Sequence, residues 1–174
     1  MPPEIDQFRR LFDANYKQLV AYARRRLASP QDADDLVAEV FTVAWRRRDR
    51  LPQGDDARLY LYGIARRVLA NQRRATRRRT ALVAALRGAA PWPPGDPMVE
   101  DPAVARALAA LDDQDRELLR LLAWEGLTQI EVASVMEISV EAARSRIRRA
   151  RARFADLLDQ MGAERTVGLA GDRP

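Results

Sequence analysis

Apolar positions recur at helical spacing along the 174-residue chain, and no stretch alternates with the period of two that a half-buried strand requires. Phe8, Leu11, Phe12, Leu19, Val20 and Ala23 mark a first helix over about residues 5–27. A second opens at Ser29-Pro30-Gln31-Asp32: Ser29 is placed to cap it, Pro30 suits the first helical position, and Asp32 suits the free amides of the first turn. Leu36, Val37, Val40, Phe41 and Ala44 carry it to Trp45. Residues 50–56 break the pattern with Pro52 and Gly54. A third helix follows over about 57–86, with Leu59, Leu61, Tyr62, Ile64, Ala65, Val68 and Leu69 near its start. Residues 88–102 hold five prolines and two glycines, the composition of a linker. Helices resume over 103–111 and, behind Asp112 as a cap, run to Trp124, where Gly126 is the stop signal. The expected architecture is all-α: two small helical domains joined by a flexible linker, the second containing a helix-turn-helix. The expected boundaries are 1–86 and 103–162 for the domains, 87–102 for the linker and 163–174 for a flexible tail.

The pattern is sharpest over residues 128–153. Thr128 and Glu131 have capping-box spacing, and Leu127 can staple onto Val132. Ser139 can cap the next helix, whose inward stripe is Ala143, Ile147, Ala150, Phe154 and Leu157. Two capped helices around a tight turn have the form of a helix-turn-helix, whose second helix enters a DNA major groove. Residues near the start of that helix meet base edges, so Arg144, Ser145 and Arg148 are the expected readers, and Arg149 is placed to read a base or hold a phosphate. Arg146, Arg151 and Arg153 are expected to neutralise phosphate, contacts that position without specifying. A solvated basic face would explain the arginines by themselves, but not the two caps and the turn length before them.

Charge adds a second surface. Hydrophobic residues make up 47% of the chain and charged ones 32%, with a net charge of +5. Residues 1–80 carry 18 basic against 10 acidic side chains, residues 81–138 carry 4 against 10, and residues 139–174 carry 8 against 5. Two basic regions therefore flank an acidic middle, as expected for two contacts with a polyanion. Nearly all the positive charge is arginine, which suits phosphate and guanine, although a genome rich in G and C would produce the same bias. Cysteine and histidine are absent, which excludes disulfides, thiolate zinc sites and histidine-based catalysis. The start, Met1-Pro2-Pro3-Glu4, lacks the form of a signal peptide, and no apolar run approaches membrane-spanning length. A soluble, cytoplasmic protein without cofactor or metal is expected.

The two longer helices of the first half differ in character. The third interleaves arginines with Tyr60, Tyr62, Asn71 and Gln72; arginine attracts backbone and aromatics stack on unpaired bases. The plainer reading makes Tyr62 core and Tyr60 half-buried. The second helix sets Asp32, Asp34, Asp35 and Glu39 beside Leu36, Val40 and Phe41, which suits a protein partner better than DNA. Its acids lack the rest of a calcium loop and serve the helix dipole. A magnesium nuclease built on Asp32, Asp34 and Asp35 would need carboxylates converging on one ion, which neighbouring helix positions do not supply. No enzyme is expected.

Together these residues resemble a known family. Residues 32–46, from Asp32-Ala33-Asp34-Asp35-Leu36 to Ala44-Trp45-Arg46, are similar to the region 2.2 signature of extracytoplasmic-function sigma factors. Residues 57–66 resemble the region that follows it, and residues 127–153 resemble region 4.2; the resemblance spans about residues 5–160 in order. It implies a factor that docks on core RNA polymerase, on the beta-prime clamp helices through Asp35, Leu36, Glu39, Val40 and Phe41 and on the beta flap through its second domain. It implies capture of a flipped minus-ten base by the loop 50–56, with Tyr60 as aromatic platform, and a melted strand held by Asn71, Arg73, Arg74, Arg77 and Arg78. It implies duplex reading of the minus-thirty-five element by Arg144, Ser145, Arg148 and Arg149, flanked by Arg146 and Arg151, and inhibition by an anti-sigma factor. The chain departs from the family pattern at four places: Tyr60 for Trp, Arg67 for Asn, Glu137 for the turn Gly, and Glu141-Ala142-Ala143 for Gly-Thr-Val. A stand-alone helix-turn-helix regulator is the alternative, and it needs only residues 101–160 to be read correctly.

Overall fold

The computed structural model describes residues 3–52, 54–87 and 99–170, with side chains over 4–52, 54–76 and 99–161. All regular structure among the described residues is helical: α1 Pro3–Arg24, α2 Pro30–Arg46, a 3-10 turn Arg48–Arg50, α3 Asp55–Arg87, α4 Pro102–Ala110, α5 Asp113–Ala123, α6 Gln129–Met136 and α7 Val140–Ala170. The chain divides into two compact units, Met1–Pro93 and Pro94–Pro174. Most of the expected linker lies outside the described residues.

In the first unit, α1 and α3 both pack on α2. The i, i+4, i+8 row Phe8, Phe12 and Tyr16 meets Phe41 and Trp45 of α2, with ring centroids 5.0 Å apart for Phe8–Trp45 and 4.5 Å for Phe12–Phe41. At the other end Tyr22 stacks on Tyr62 at 5.1 Å. The Arg26 guanidinium lies 3.5 Å above Tyr22 and donates to the Tyr22 carbonyl at 3.0 Å. Tyr62 is thus core, as the plainer reading has it. Ser29 caps α2, its Oγ accepting from the Asp32 amide at 3.2 Å.

In the second unit, α4, α5 and α6 all pack on α7. Asp101 caps α4 and Asp112 caps α5, each side chain accepting from backbone amides of the first turn. The free carbonyls at the end of α4 are taken by one side chain: Arg116 donates to Leu108, Ala109 and Leu111 oxygens at 2.7, 2.8 and 2.6 Å. Gly126, at φ +65°, reverses the chain after α5. α7 continues to Ala170, so its backbone is helical where a loose tail was expected from residue 163. Ala163, Glu164 and Arg165 are good helix formers, and no proline interrupts before Pro174.

Candidate nucleic-acid interface

The helix-turn-helix is delimited by hydrogen bonds that its sequence encodes locally. Thr128 Oγ1 accepts from the Glu131 amide at 3.3 Å while Glu131 Oε2 accepts from the Thr128 amide at 2.7 Å, which closes the capping box. α6 ends in a Schellman arrangement: the Ile138 amide donates to the Ala133 carbonyl at 3.0 Å and the Glu137 amide to Ser134 at 3.2 Å. This turn requires a left-handed residue, and Glu137 occupies it at φ +57°. Its Cβ crowds the carbonyl there, at a cost of about 1 kcal/mol that glycine does not carry. Ser139 Oγ then accepts from the Ala142 amide at 3.1 Å and starts α7.

Ala143, Ile147 and Ala150 of α7 are buried against its neighbours. The 100° step of the helix puts Arg144, Arg148 and Arg151 in one row along a flank of that seam, with Ser145 opposite the seam and Arg149 further round the helix. All four of these arginines are exposed, and none has a hydrogen bond or ion pair within the described residues. Ser145 is half-buried. Arg146 and Arg153 are placed differently. Arg146 Nη1 donates to Gln114 Oε1 at 2.9 Å, and Arg153 Nη1 bridges Asp115 at 2.7 Å and Asp112 at 3.4 Å. In the DNA-free chain, α5 thus engages both residues expected at phosphates and holds them on the flank of α7. The sequence carries no local signal for this, because the partners are 32 to 41 residues apart.

In the first unit, the structure brings Asp35 and Glu39 to the exposed face of α2, together with Asp34, Ala38 and Thr42. Leu36 and Val40, however, are fully buried, and Phe41 is 6% exposed. Leu36 and Val40 thus seat α2 in the core, and Phe41 joins the aromatic cluster, so only Asp35 and Glu39 of the five expected docking residues are exposed. The helical stripe Ala33, Leu36, Val37, Val40, Ala44 was the signal for this. Glu39 accepts from Gln72 of α3 at 3.4 Å.

On α3, Tyr60 is half-buried and Asn71 and Arg74 are exposed and bonded to each other. Arg73 is half-buried, and the side chains of Arg77 and Arg78 lie outside the described residues. Arg67 turns back along its helix and donates to the Gly63 carbonyl at 3.3 Å. The turn before α3 uses Gly54 at φ +62°. Beside it lies a cleft of about 430 Å³ lined by Gln7, Arg10, Leu11, Asn15, Pro52 and Gly54. The contribution of α1 to this cleft has no sequence signature; it arises because α1 packs beside the loop. No group of three His, Cys, Asp or Glu able to hold a metal ion occurs among the described residues. No described helix is long and apolar enough to cross a membrane.

Comparison with known proteins gives this arrangement its family. Residues 11–79 match the family model for Sigma-70 region 2, and residues 102–154 match that for Sigma-70, region 4. The chain is 32% identical over 160 residues to the RNA polymerase sigma factor CnrH of Cupriavidus metallidurans, covering 84% of each chain. It is similar in structure to CnrH in complex with the cytosolic domain of CnrY (TM-score 0.58, 29% identity, 88% of each chain covered). It also shares its fold with the sigma factor RpoE in complex with the anti-sigma factor NepR from Bartonella quintana (TM-score 0.64, 24% identity, 87% of this chain and 96% of that one). With two family regions in order and a relative matched along most of its length, the chain belongs to the sigma-70 family as an extracytoplasmic-function sigma factor, a transcription initiation factor that works with RNA polymerase.

Proposed function

We propose that this factor directs core polymerase to promoters by reading the minus-thirty-five element as duplex with α7 and the minus-ten element as a melted strand with α3 and the preceding loop. The observation that carries the reading is the set of exposed arginines, without partners among the described residues, on a helix whose start and inward face are already determined. Arg144, Ser145, Arg148 and Arg149 are the base-edge and adjacent contacts, and Arg151 holds phosphate. Tyr60, Asn71, Arg73 and Arg74 line the strand path, which the resemblance extends to Arg77 and Arg78. The cleft beside Pro52 and Gly54 is large enough to receive a base turned out of the duplex.

The exposed acids Asp35 and Glu39 of α2 form the docking face for the clamp helices of the beta-prime subunit, and the second unit docks on the beta flap. CnrH forms a complex with the cytosolic domain of CnrY, and RpoE of Bartonella quintana with the anti-sigma factor NepR. An anti-sigma factor is accordingly assigned to this chain as its regulator. Transcription from promoters selected with reconstituted holoenzyme tests the proposal. Gel shifts are expected to show tight promoter binding only with core polymerase. Equally tight operator binding by the chain without polymerase would instead mark a stand-alone regulator.

A further inference from the structure

We infer that Arg146 and Arg153 are positioning residues that set the rotation of α7 through a clasp on the first turn of α5, and that they do not contact DNA. The inference rests on the reading of α7 as the helix that meets the duplex. Three observations support it. First, the two arginines are seven residues apart, so they share one flank and lie about 10 Å apart along the axis. Second, both converge on a single helical turn: Arg146 on Gln114, and Arg153 on Asp112 and Asp115. Third, that turn is itself rigid. Asp112 is its cap, accepting from the Gln114 and Asp115 amides at 3.0 and 2.8 Å, and the Asp115 side chain is only 10% exposed.

The clasp is needed because of what lies on the inward side. Near the start of α7 the buried seam is Ala143, Ile147 and Ala150. Two of the three are alanines, which allow close approach but offer no long side chain to resist rotation about the axis. A rotation of about 20° moves side-chain tips on a helix of this radius by about 2 Å, enough to take an arginine fork out of register with a base edge. Two polar ties, two turns apart on one flank, oppose that rotation. Arg146 and Arg153 thus determine where Arg144, Arg148 and Arg149 point.

The opposing assignment, in which both arginines hold phosphate, predicts the reverse sign for changes on α5. Removing the Asp115 charge or the Gln114 amide would free a cation for DNA and tighten binding. The test uses full-length protein with core polymerase on promoter duplexes selected from a randomised minus-thirty-five region, and compares each with a scrambled version. The clasp predicts that Asp115→Asn and Gln114→Ala each lower the ratio of selected to scrambled affinity about fivefold, the scale of coupling between touching residues. It predicts that Arg153→Ala lowers the ratio without changing the salt dependence, and that Arg153→Lys, still able to reach Asp115, restores most of it. Unchanged or tighter binding by Asp115→Asn and Gln114→Ala, or a salt slope shallower by about 0.9 for Arg153→Ala, overturns the inference. Gln114 is exposed, so Gln114→Ala keeps the test decisive even where Asp115→Asn melts early. Loss of selectivity in Arg148→Ala is the control for the underlying reading: if that variant reads promoters normally, α7 is not the reader, and the fault lies there.

Discussion

The arginines of α3 and those of α7 meet solvent in different states. On α7, Arg144, Arg148, Arg149 and Arg151 are exposed with no partner among the described residues, while Arg146 and Arg153 are tied to α5. On α3, Arg67 is bonded to its own helix backbone, Arg74 to Asn71, and Gln72 to Glu39 of the docking helix. The surface of α7 proposed to read duplex has its cations available among the described residues. The surface of α3 proposed to hold the melted strand has several of its described polar groups engaged with one another. A rigid duplex presents fixed base edges and rewards a fixed reader. A melted strand is flexible, and side chains that must exchange partners to meet it lose less by being held meanwhile. The Gln72–Glu39 bond also links α2 to α3, so the helices proposed for docking and for strand holding are in contact.

The comparison is broken most severely through the core. Leu36→Ala is expected to destabilise the first unit by about 2–5 kcal/mol, the range for a buried leucine, as read by thermal or denaturant melting. A variant that melts like the parent yet fails to bind core would return Leu36 to the docking surface. Arg148→Ala comes next: promoter discrimination should fall by about 1–3 kcal/mol, concentrated at one or two base pairs. A uniform loss over unrelated sequences would make Arg148 a phosphate contact and shrink the difference between the two helices. Asp35→Arg should weaken core binding by about 1.4 kcal/mol, roughly tenfold, through like-charge repulsion at a rim position. The circular dichroism melt should not move; equal core affinity would remove the exposed acids from the docking role. The smallest effect is expected at the turn. Glu137→Gly should raise the stability of the second unit by about 1 kcal/mol by relieving the left-handed residue. A lower melting temperature would mean that contacts of the Glu137 side chain outweigh the strain.

Residues that act within one turn of themselves were readable in advance. Ser29, Asp112, Thr128 with Glu131, and Ser139 are found capping the helices they were expected to cap, because a capping bond spans two or three residues and needs nothing from the rest of the chain. Leu36 and Val40 show two signals in one stretch: their motif resembles a docking surface, while their spacing places them in the core, where they are buried. Arg146 shows the limit from the other side. On a helical wheel it falls on another side from Arg148, but nothing local shows that its partner there is Gln114 of α5.

Local chemistry along the chain decided that the structure would be helical, where the capped helices would begin, and which family it would join, since caps, stripes and motifs all act over a few residues. The packed fold decided which charges are available. Whether an arginine is a reader, a tie to a neighbouring helix or a plug for free carbonyls, as Arg116 is for α4, depends on which partner groups arrive beside it. On α7 those groups come from a helix more than thirty residues away, and tertiary packing alone brings them there.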